Sequence, residues 1–265
     1  MSLQCAHLTE NTMHYVIACS CLVAGLAAAT TLQDGFKYKV HDLQRPQPTA
    51  VTPGSLQGST APSDAVALFD GKVSDKLSSG GKPCAWTIEN GELAVKPGSG
   101  DIATKDSFGD CQLHLEFMVP AGRECKGQAG CNSGVFFMNQ YEVQILNSHN
   151  NVTYADGMAG SCYGQHPPMV NACRPQGEWN VYDIVFRAPR FDKDGKLVTP
   201  AYVTLMMNGV LVQDHVAMLG TTAHAARAKY SAHAAELPIR LQDHGDPLRF
   251  RNIWVRRLPE PQKAE

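Results

Sequence analysis

The chain has 265 residues, 43% of them hydrophobic, enough for one sizeable core, and all-β sandwiches of this size often form a single domain. Its formal net charge is −2 with Lys and Arg scattered. No basic stripe offers itself to a phosphate backbone, which argues against a nucleic-acid partner.

Residues 1–31 stand apart from the rest. The stretch "MHYVIACSCLVAGLAAAT" is an apolar run ending in small residues, the pattern of a signal h-region and its cleavage site. The residues before it lack Lys and Arg and include Glu10, so Met13 is an alternative start. "VIAC" at 16–19 resembles a lipobox, which would make Cys19 a lipid anchor. The run is too short for a spanning helix. Export to the periplasm or cell surface is therefore expected, with lipid anchoring as the second option.

Cysteine usage agrees with export. Removing residues 1–31 deletes Cys5, Cys19 and Cys21 and leaves six, so three disulfides become possible. The pairs nearest in sequence are Cys125 with Cys131 and Cys162 with Cys173, which leaves Cys84 with Cys111, but connectivity stays open. No C-x-x-C pair supports a structural zinc site.

Residues 32–64 are rich in Pro, Gln, Ser and Thr without periodicity and read as a poorly ordered linker. From 65 to 258 strand-like runs alternate with turn signals: "AVALFD", "WTIENGELAV", "DIAT", "CQLHLEFMV", "GVFFM", "YEVQIL", "WNVYDIVFRA", "AYVTLMMNGVLVQD", "PIRLQD" and "LRFRNIWVRR". "ENGE" and "MNGV" mark Asn-Gly hairpins. No phosphate-binding glycine loop occurs, and long helices do not alternate with the strands. An all-β, antiparallel β-sandwich follows, with 259–265 as a tail. Residues 216–236 are Ala-rich and predict a short helix or an ordered loop. Their His224 and His233 read as solvated decoration, since no carboxylate has the helical spacing a metal site needs.

Alternation assigns faces. In "CQLHLEFMV", Cys111, Leu113, Leu115 and Phe117 share one side, while Gln112, His114 and Glu116 share the other. In "YEVQIL", Tyr141, Val143 and Ile145 oppose Glu142 and Gln144. Such polar faces are ordinarily solvent-facing sheet surface. Near the C-terminus, however, "LQDHGDPLRFRNIW" crowds Gln242, Asp243, His244, Arg249, Arg251 and Asn252 around a glycine turn. Asp243 and His244 suit acid–base work, and Arg251 suits a developing oxyanion. Asn252 reads as structural.

Eight blocks in order, "ALFDGK", "GDIAT", "FGDCQLHLEF", "NSGVFF", "YEVQIL", "GEWNVYDIVFRAPR", "VTLMMNGVLV" and "LQDHGDPLRFRNIWVR", resemble the 3-keto-disaccharide hydrolase family, whose members are described as 3-keto-glycoside 1,2-lyases and 3-keto-2-hydroxyglucal hydratases. The resemblance implies a concanavalin A-like sandwich (jelly roll) and export.

It also implies a chemistry that explains "YEVQILN". Many sugar-cleaving sandwiches carry E-x-D-x-x-E on one strand, whereas Glu142, Gln144 and Asn147 give E-x-Q-x-x-N. A retaining glycosidase needs two carboxyl groups at the bond, and amides cannot supply them. A 3-keto sugar needs less: one base removes the acidified C2 proton, and the C1 substituent leaves by β-elimination. On this reading His244, Glu142 and Glu116 are the proton-transfer candidates and Arg251 the oxyanion partner. Gln144, Asn132, Asp243 and His114 are substrate contacts, and Tyr163 would stack on a sugar ring. A divalent ion held by His244 with carboxylates is a further option. The substrate would come from a separate sugar 3-oxidoreductase. The departures from the family pattern are Cys111, Cys131, Cys162 and Cys173, expected to staple long loops around the cleft. Two rival readings are a non-catalytic carbohydrate-binding domain and a conventional glycoside hydrolase.

Overall fold

Cys111, Leu113, Leu115 and Phe117 are all essentially inaccessible, as the alternation of "CQLHLEF" requires. In the computed structural model, which describes residues 36–53, 60–72, 75–129 and 131–260, they lie on β8 (Cys111–Met118). This strand is central to an eight-stranded sheet. One path of neighbours runs β16 (Val210–Ala217), β15 (Tyr202–Met207), β12 (Trp179–Arg187), β8, β18 (Arg249–Arg257), β6 (Glu92–Ala94) and β5 (Thr87–Glu89), with β2 (Val66–Phe69) also on β18. We call it the back sheet.

The front sheet has six strands: β10 (Tyr141–Leu146), β9 (Asn132–Phe137), β17 (Arg240–Leu241), β7 (Ile102–Thr104), β3 (Leu77–Ser79) and β4 (Lys82–Pro83). Two small pairs complete the set, β1 (Thr49–Ala50) with β11 (Val170–Asn171) and β13 (Arg190–Phe191) with β14 (Leu197–Thr199). Every pairing within the two main sheets is antiparallel. The sheets share one core: Phe137 of β9 stacks on Phe186 of β12 at 4.5 Å, and the Tyr182 hydroxyl donates to the Gln144 carbonyl at 2.8 Å. Burying each such side chain contributes about 1.5–3 kcal/mol. The β-sandwich expected from the sequence is the observed fold.

Both Asn-Gly turns form as expected. Asn90–Gly91 and Asn208–Gly209 take positive φ at both positions (54° and 79° in each), the backbone of the two-residue hairpin turn. Residues 218–236 form an ordered loop without a helix.

Two expectations are corrected. Cys125 and Cys131 are joined, but Cys162 with Cys173 and Cys84 with Cys111 are not, and all four carry free thiols. Nearness in sequence holds for Cys125 with Cys131 and fails for Cys162 with Cys173, because a disulfide needs facing Cβ vectors. Cys111 points into the sandwich core from β8, whereas Cys84 is only half-buried. Cys162 bridges Val143 beside β10, while Cys173 follows β11 and sets its sulfur near the Leu146 carbonyl. Burial pushes the Cys162 thiol up to about 12 and that of Cys173 to about 11, so both rest as protonated hydrophobes.

The second correction concerns the linker. From Tyr38 onward the chain belongs to one compact unit, and residues 38–51 lie against the sandwich instead of forming a loose tether. β1 pairs in parallel with β11, and Arg45 reaches the fully buried Asp156 at 3.7 Å. Composition conceals this because a few specific contacts, not a hydrophobic period, hold the segment. The apolar leader, with Cys5, Cys19 and Cys21, falls outside the described residues.

Candidate active site

The polar faces of β8 and β10 are not wet surface. Glu142 and Gln144 are 5% and 1% exposed, and His114 and Glu116 are 1% and 4% exposed. Alternation carries the two sets away from the shared core, so they lie on opposite outer faces of the sandwich. The β10 set opens onto a cavity.

That cavity, about 350 Å³, is floored by the outer face of the front sheet: Glu142 and Gln144 from β10, Asn132 and Phe136 from β9, and Gln242 just after β17. Its rim comes from three loops carrying Tyr163, Thr222 with His224, and His244. The volume suits a small ligand. A larger cleft of about 540 Å³, lined by Phe69, Leu77, Trp86 and Ile88 among others, is mostly apolar and holds no buried acid–base pair, so the smaller cavity is the better candidate.

Glu142 is the sole carboxylate of the lining. Desolvation by burial pushes its carboxyl up to about 8, opposed by Arg240 and assisted by Asp101, so it is largely protonated at neutral pH. The backbone makes room for it. Gly134 is the residue opposite Gln144, and a Cβ there would sit 2.5 Å from Glu142 Oε1. The Gln144 amide has two useful orientations. In one, its NH2 donates to Gln128 Oε1 at 3.1 Å and its oxygen faces Glu142 Oε1. Turned over, the NH2 donates to Glu142 Oε1 at 3.1 Å and to the Ser133 carbonyl at 2.9 Å. The amide can therefore partner Glu142 in either protonation state.

The edge of β10 is closed by residues 160–163. Gly160 N donates to the Gln144 carbonyl, Gln144 N to the Ser161 carbonyl, and Tyr163 N to the Glu142 carbonyl, at 3.0–3.2 Å. This covers an otherwise open edge and sets the Tyr163 ring on the rim. On the same edge, Glu142 N donates to Thr222 Oγ1 at 2.9 Å. The loop before Asn132 and the turn after β17 are joined by Asn132 N donating to the buried Asp246 carboxylate at 2.9 Å, and Gln242 N donates to the Gly134 carbonyl. His244 stands exposed at this turn.

The other predicted site residues lie elsewhere. On the back sheet, Arg251 Nε donates to Glu116 Oε2 at 2.6 Å, and Asn252 Nδ2 donates to Glu116 Oε1 at 3.0 Å. His114 Nδ1 meets Asp183 Oδ1 at 2.6 Å, Trp254 stacks on the His114 ring, and the Arg251 guanidinium covers Trp179. Burial would raise the Glu116 carboxyl, but His114, Asn252 and Arg251 hold it down at about 2. Burial would likewise lower His114, yet Asp183 and Glu116 raise it to about 8. These groups satisfy one another, so Glu116, His114 and Arg251 are not brought to the cavity. Asp243 is also occupied: its carboxylate accepts from Gly100 N and Gly245 N at 2.9 Å and shapes the turn that presents His244.

The sequence reading missed His224, Thr222 and Phe136. The Ala-rich setting of His224 hid it, and His233 is likewise engaged, at 2.7 Å from the Tyr141 hydroxyl. For the suggested divalent ion, no group of three His, Cys, Asp or Glu side chains comes together among the described residues. The cavity lining supplies Glu142, His224 and His244 set among amides, a set poor in the oxygen ligands that a calcium or magnesium ion favours.

A family model described as the 3-keto-alpha-glucoside-1,2-lyase-like domain matches residues 64–256. A 3-keto-disaccharide hydrolase from Bacteroides thetaiotaomicron is 26% identical over 230 residues, covering 73% of this chain and 78% of its own. Among solved structures, a candidate glycosyl hydrolase from Parabacteroides distasonis is 43% identical, with a TM-score of 0.74 over 86% of this chain and all of its own. A second from that organism, at 24% identity and a TM-score of 0.54, covers 73% of this chain and 99% of its own and shares the fold.

Proposed function

Because the chain belongs to the 3-keto-alpha-glucoside-1,2-lyase-like family, we propose that its front-sheet cavity cleaves 3-keto-glycosides by eliminating the C1 substituent. The observation that carries this reading is the single buried carboxyl, Glu142, set among amides and imidazoles instead of beside a second carboxylate. A conventional glycosidase needs a carboxyl pair. Elimination does not, because a C3 ketone already acidifies the C2 hydrogen.

The roles follow from the cavity lining. His244 takes the C2 proton, and the electron pair moves onto the C3 oxygen as an enolate. The amides of Asn132 and Gln144 meet that oxygen with hydrogen bonds. Glu142, held protonated by burial, gives its proton to the C1 oxygen as the C1–O bond breaks. The products are an unsaturated keto sugar and the free alcohol of the leaving group. Water can then add to the first, the hydration step that the family resemblance implies. A carboxyl held protonated by burial is how environment fits a group for the acid role. Tyr163 gives the sugar a flat face at the rim.

The reading also requires a supplier, an oxidoreductase that converts the C3 hydroxyl of a glycoside to a ketone. It places the protein outside the cytoplasm, consistent with the apolar leader. Among the described residues, no helix is long and apolar enough to cross a membrane.

The test is to incubate the protein with a 3-keto-glucoside and with its unoxidised parent and to follow both by mass spectrometry. The keto sugar alone should lose its aglycone. If both survive but bind, the carbohydrate-binding reading replaces the enzymatic one; release from the unoxidised parent points to ordinary hydrolysis.

A further inference from the structure

The family match starts at residue 64, yet residues 38–51 wrap against the rim of the cavity. His41 lies flat on Tyr154, with ring centroids 4.0 Å apart and an interplanar angle of 13°. The same ring meets Tyr163 edge-on at 5.0 Å and lies 5.5 Å from His224, and both of these line the cavity. The Tyr163 hydroxyl sits 2.9 Å from that of Tyr154 and 3.3 Å from His224 Nδ1. Four rings thus form one cluster on the rim, and His41 is the member contributed by the strap.

The strap is held in place at some cost. His41 has φ of 59°, a left-handed backbone that is unfavourable for a non-glycine residue and persists only where its surroundings impose it. Here its N–H donates to the buried Asp156 carboxylate at 3.3 Å, which Arg45 also faces, and Arg227 donates to the Tyr38 carbonyl at 2.7 Å. Gly164 lets the strap in closely: a Cβ there would lie 3.4 Å from Val40. His41 Nε2 is buried without a hydrogen-bond partner, so the ring's contribution is its flat face. Burial keeps that ring neutral, with Asp156 opposing and His224 assisting.

We propose that the strap completes the cavity and that His41 is a positioning residue, holding Tyr154, Tyr163 and His224 as the subsite for the sugar ring of a leaving group. The reacting ring occupies the polar floor at Glu142, and a second ring extending outward meets this aromatic rim. The apolar face of a pyranose suits such stacking. This inference rests on the elimination reading and extends it to the substrate's second half.

The test uses the full chain and two substrates, a 3-keto disaccharide and 3-keto methyl glucoside, with His41→Ala and His41→Phe. His41→Ala should raise KM for the disaccharide about tenfold, leave its kcat within about twofold, and leave methyl glucoside kinetics unchanged. His41→Phe keeps a flat ring and should restore the disaccharide KM. Disaccharide kinetics unchanged in a folded His41→Ala overturn the proposal, as does an equal loss on both substrates. If His41→Ala fails to fold, His41→Phe decides alone: it must match the wild type on both substrates, and a selective or general loss overturns the proposal. Wild-type protein inert toward both sugars instead defeats the elimination reading on which it depends.

Discussion

On the proposed elimination, Glu142 carries the acid step as well as part of the stability. Its carboxyl is raised to about 8 by burial, above the unfolded value of about 4.3. The stability it permits is fully present below the unfolded pKa and is lost as pH rises through the folded one. Replacing it by Gln removes an ionisation that the fold resists. Glu142→Gln should therefore match wild-type stability below about pH 4 and exceed it above pH 8 by an amount on the order of a few kcal/mol, read by denaturant melts at both pH values. The same variant should lose about 10²–10⁴ of its turnover. As a general acid, Glu142 also sets an alkaline limb: wild-type kcat/KM should fall about tenfold per pH unit above about 8, and a rise there would reverse the acid and base assignments. Glu116 behaves oppositely. Its carboxyl is held at about 2, so its stabilisation is present above the unfolded value and lost as pH falls from there toward 2.

Pairs of neighbouring strands decide where these groups can act. On β9 and β10, Gly134 opposite Gln144 leaves space that the Glu142 carboxyl fills. Gly134→Ala should displace that carboxyl and lower turnover about a hundredfold, with the cost in stability limited to about 1–3 kcal/mol for overpacking; steady-state kinetics alongside thermal melts separate the two effects. On β8 and β18 the register shifts between Arg251 and Trp254, with Asn252 at φ of 46°. That irregularity lets Asn252 reach Glu116 and His114 together. Glu116→Gln should cost roughly 1.5–3 kcal/mol by weakening hydrogen bonds to a charged group, while kcat stays within about twofold. A hundredfold loss of kcat in a folded Glu116→Gln would return the back-sheet cluster to the chemistry. The alternation of "CQLHLEF" and "YEVQIL" was legible because the side-chain period is fixed by backbone geometry, and it named the core faces of both strands. It says nothing about which sheet a strand joins, so Glu116 and Arg251 looked eligible beside Glu142. His224 and the strap were hidden for another reason: neither an alanine-rich loop nor a proline-rich segment shows a period, and their placement depends on Tyr163 and Asp156 far along the chain.

At the scale of the whole molecule, the sandwich is a rigid support between two buried polar faces that perform different tasks. The core joins them through Phe137, Phe186, Tyr182 and Tyr141, so damage between the sheets should reach the site by unfolding it. Phe186→Ala should destabilise the fold by about 3–5 kcal/mol and lower activity only through the fraction unfolded, which activity and circular dichroism measured across one temperature series would show. The family resemblance was legible because eight blocks keep their order, and three of them, "NSGVFF", "YEVQIL" and "LQDHGDPLRFRNIWVR", supply residues to the front-sheet cavity. The most direct test of elimination uses a 3-keto-glucoside deuterated at C2, quenched early and read by mass spectrometry against an enzyme-free control. Transfer of the C2 proton to His244 should wash the deuterium out of the sugar product as the aglycone appears. Full retention of deuterium in the released keto sugar would mean direct hydrolysis at C1 and would contradict the proposed chemistry.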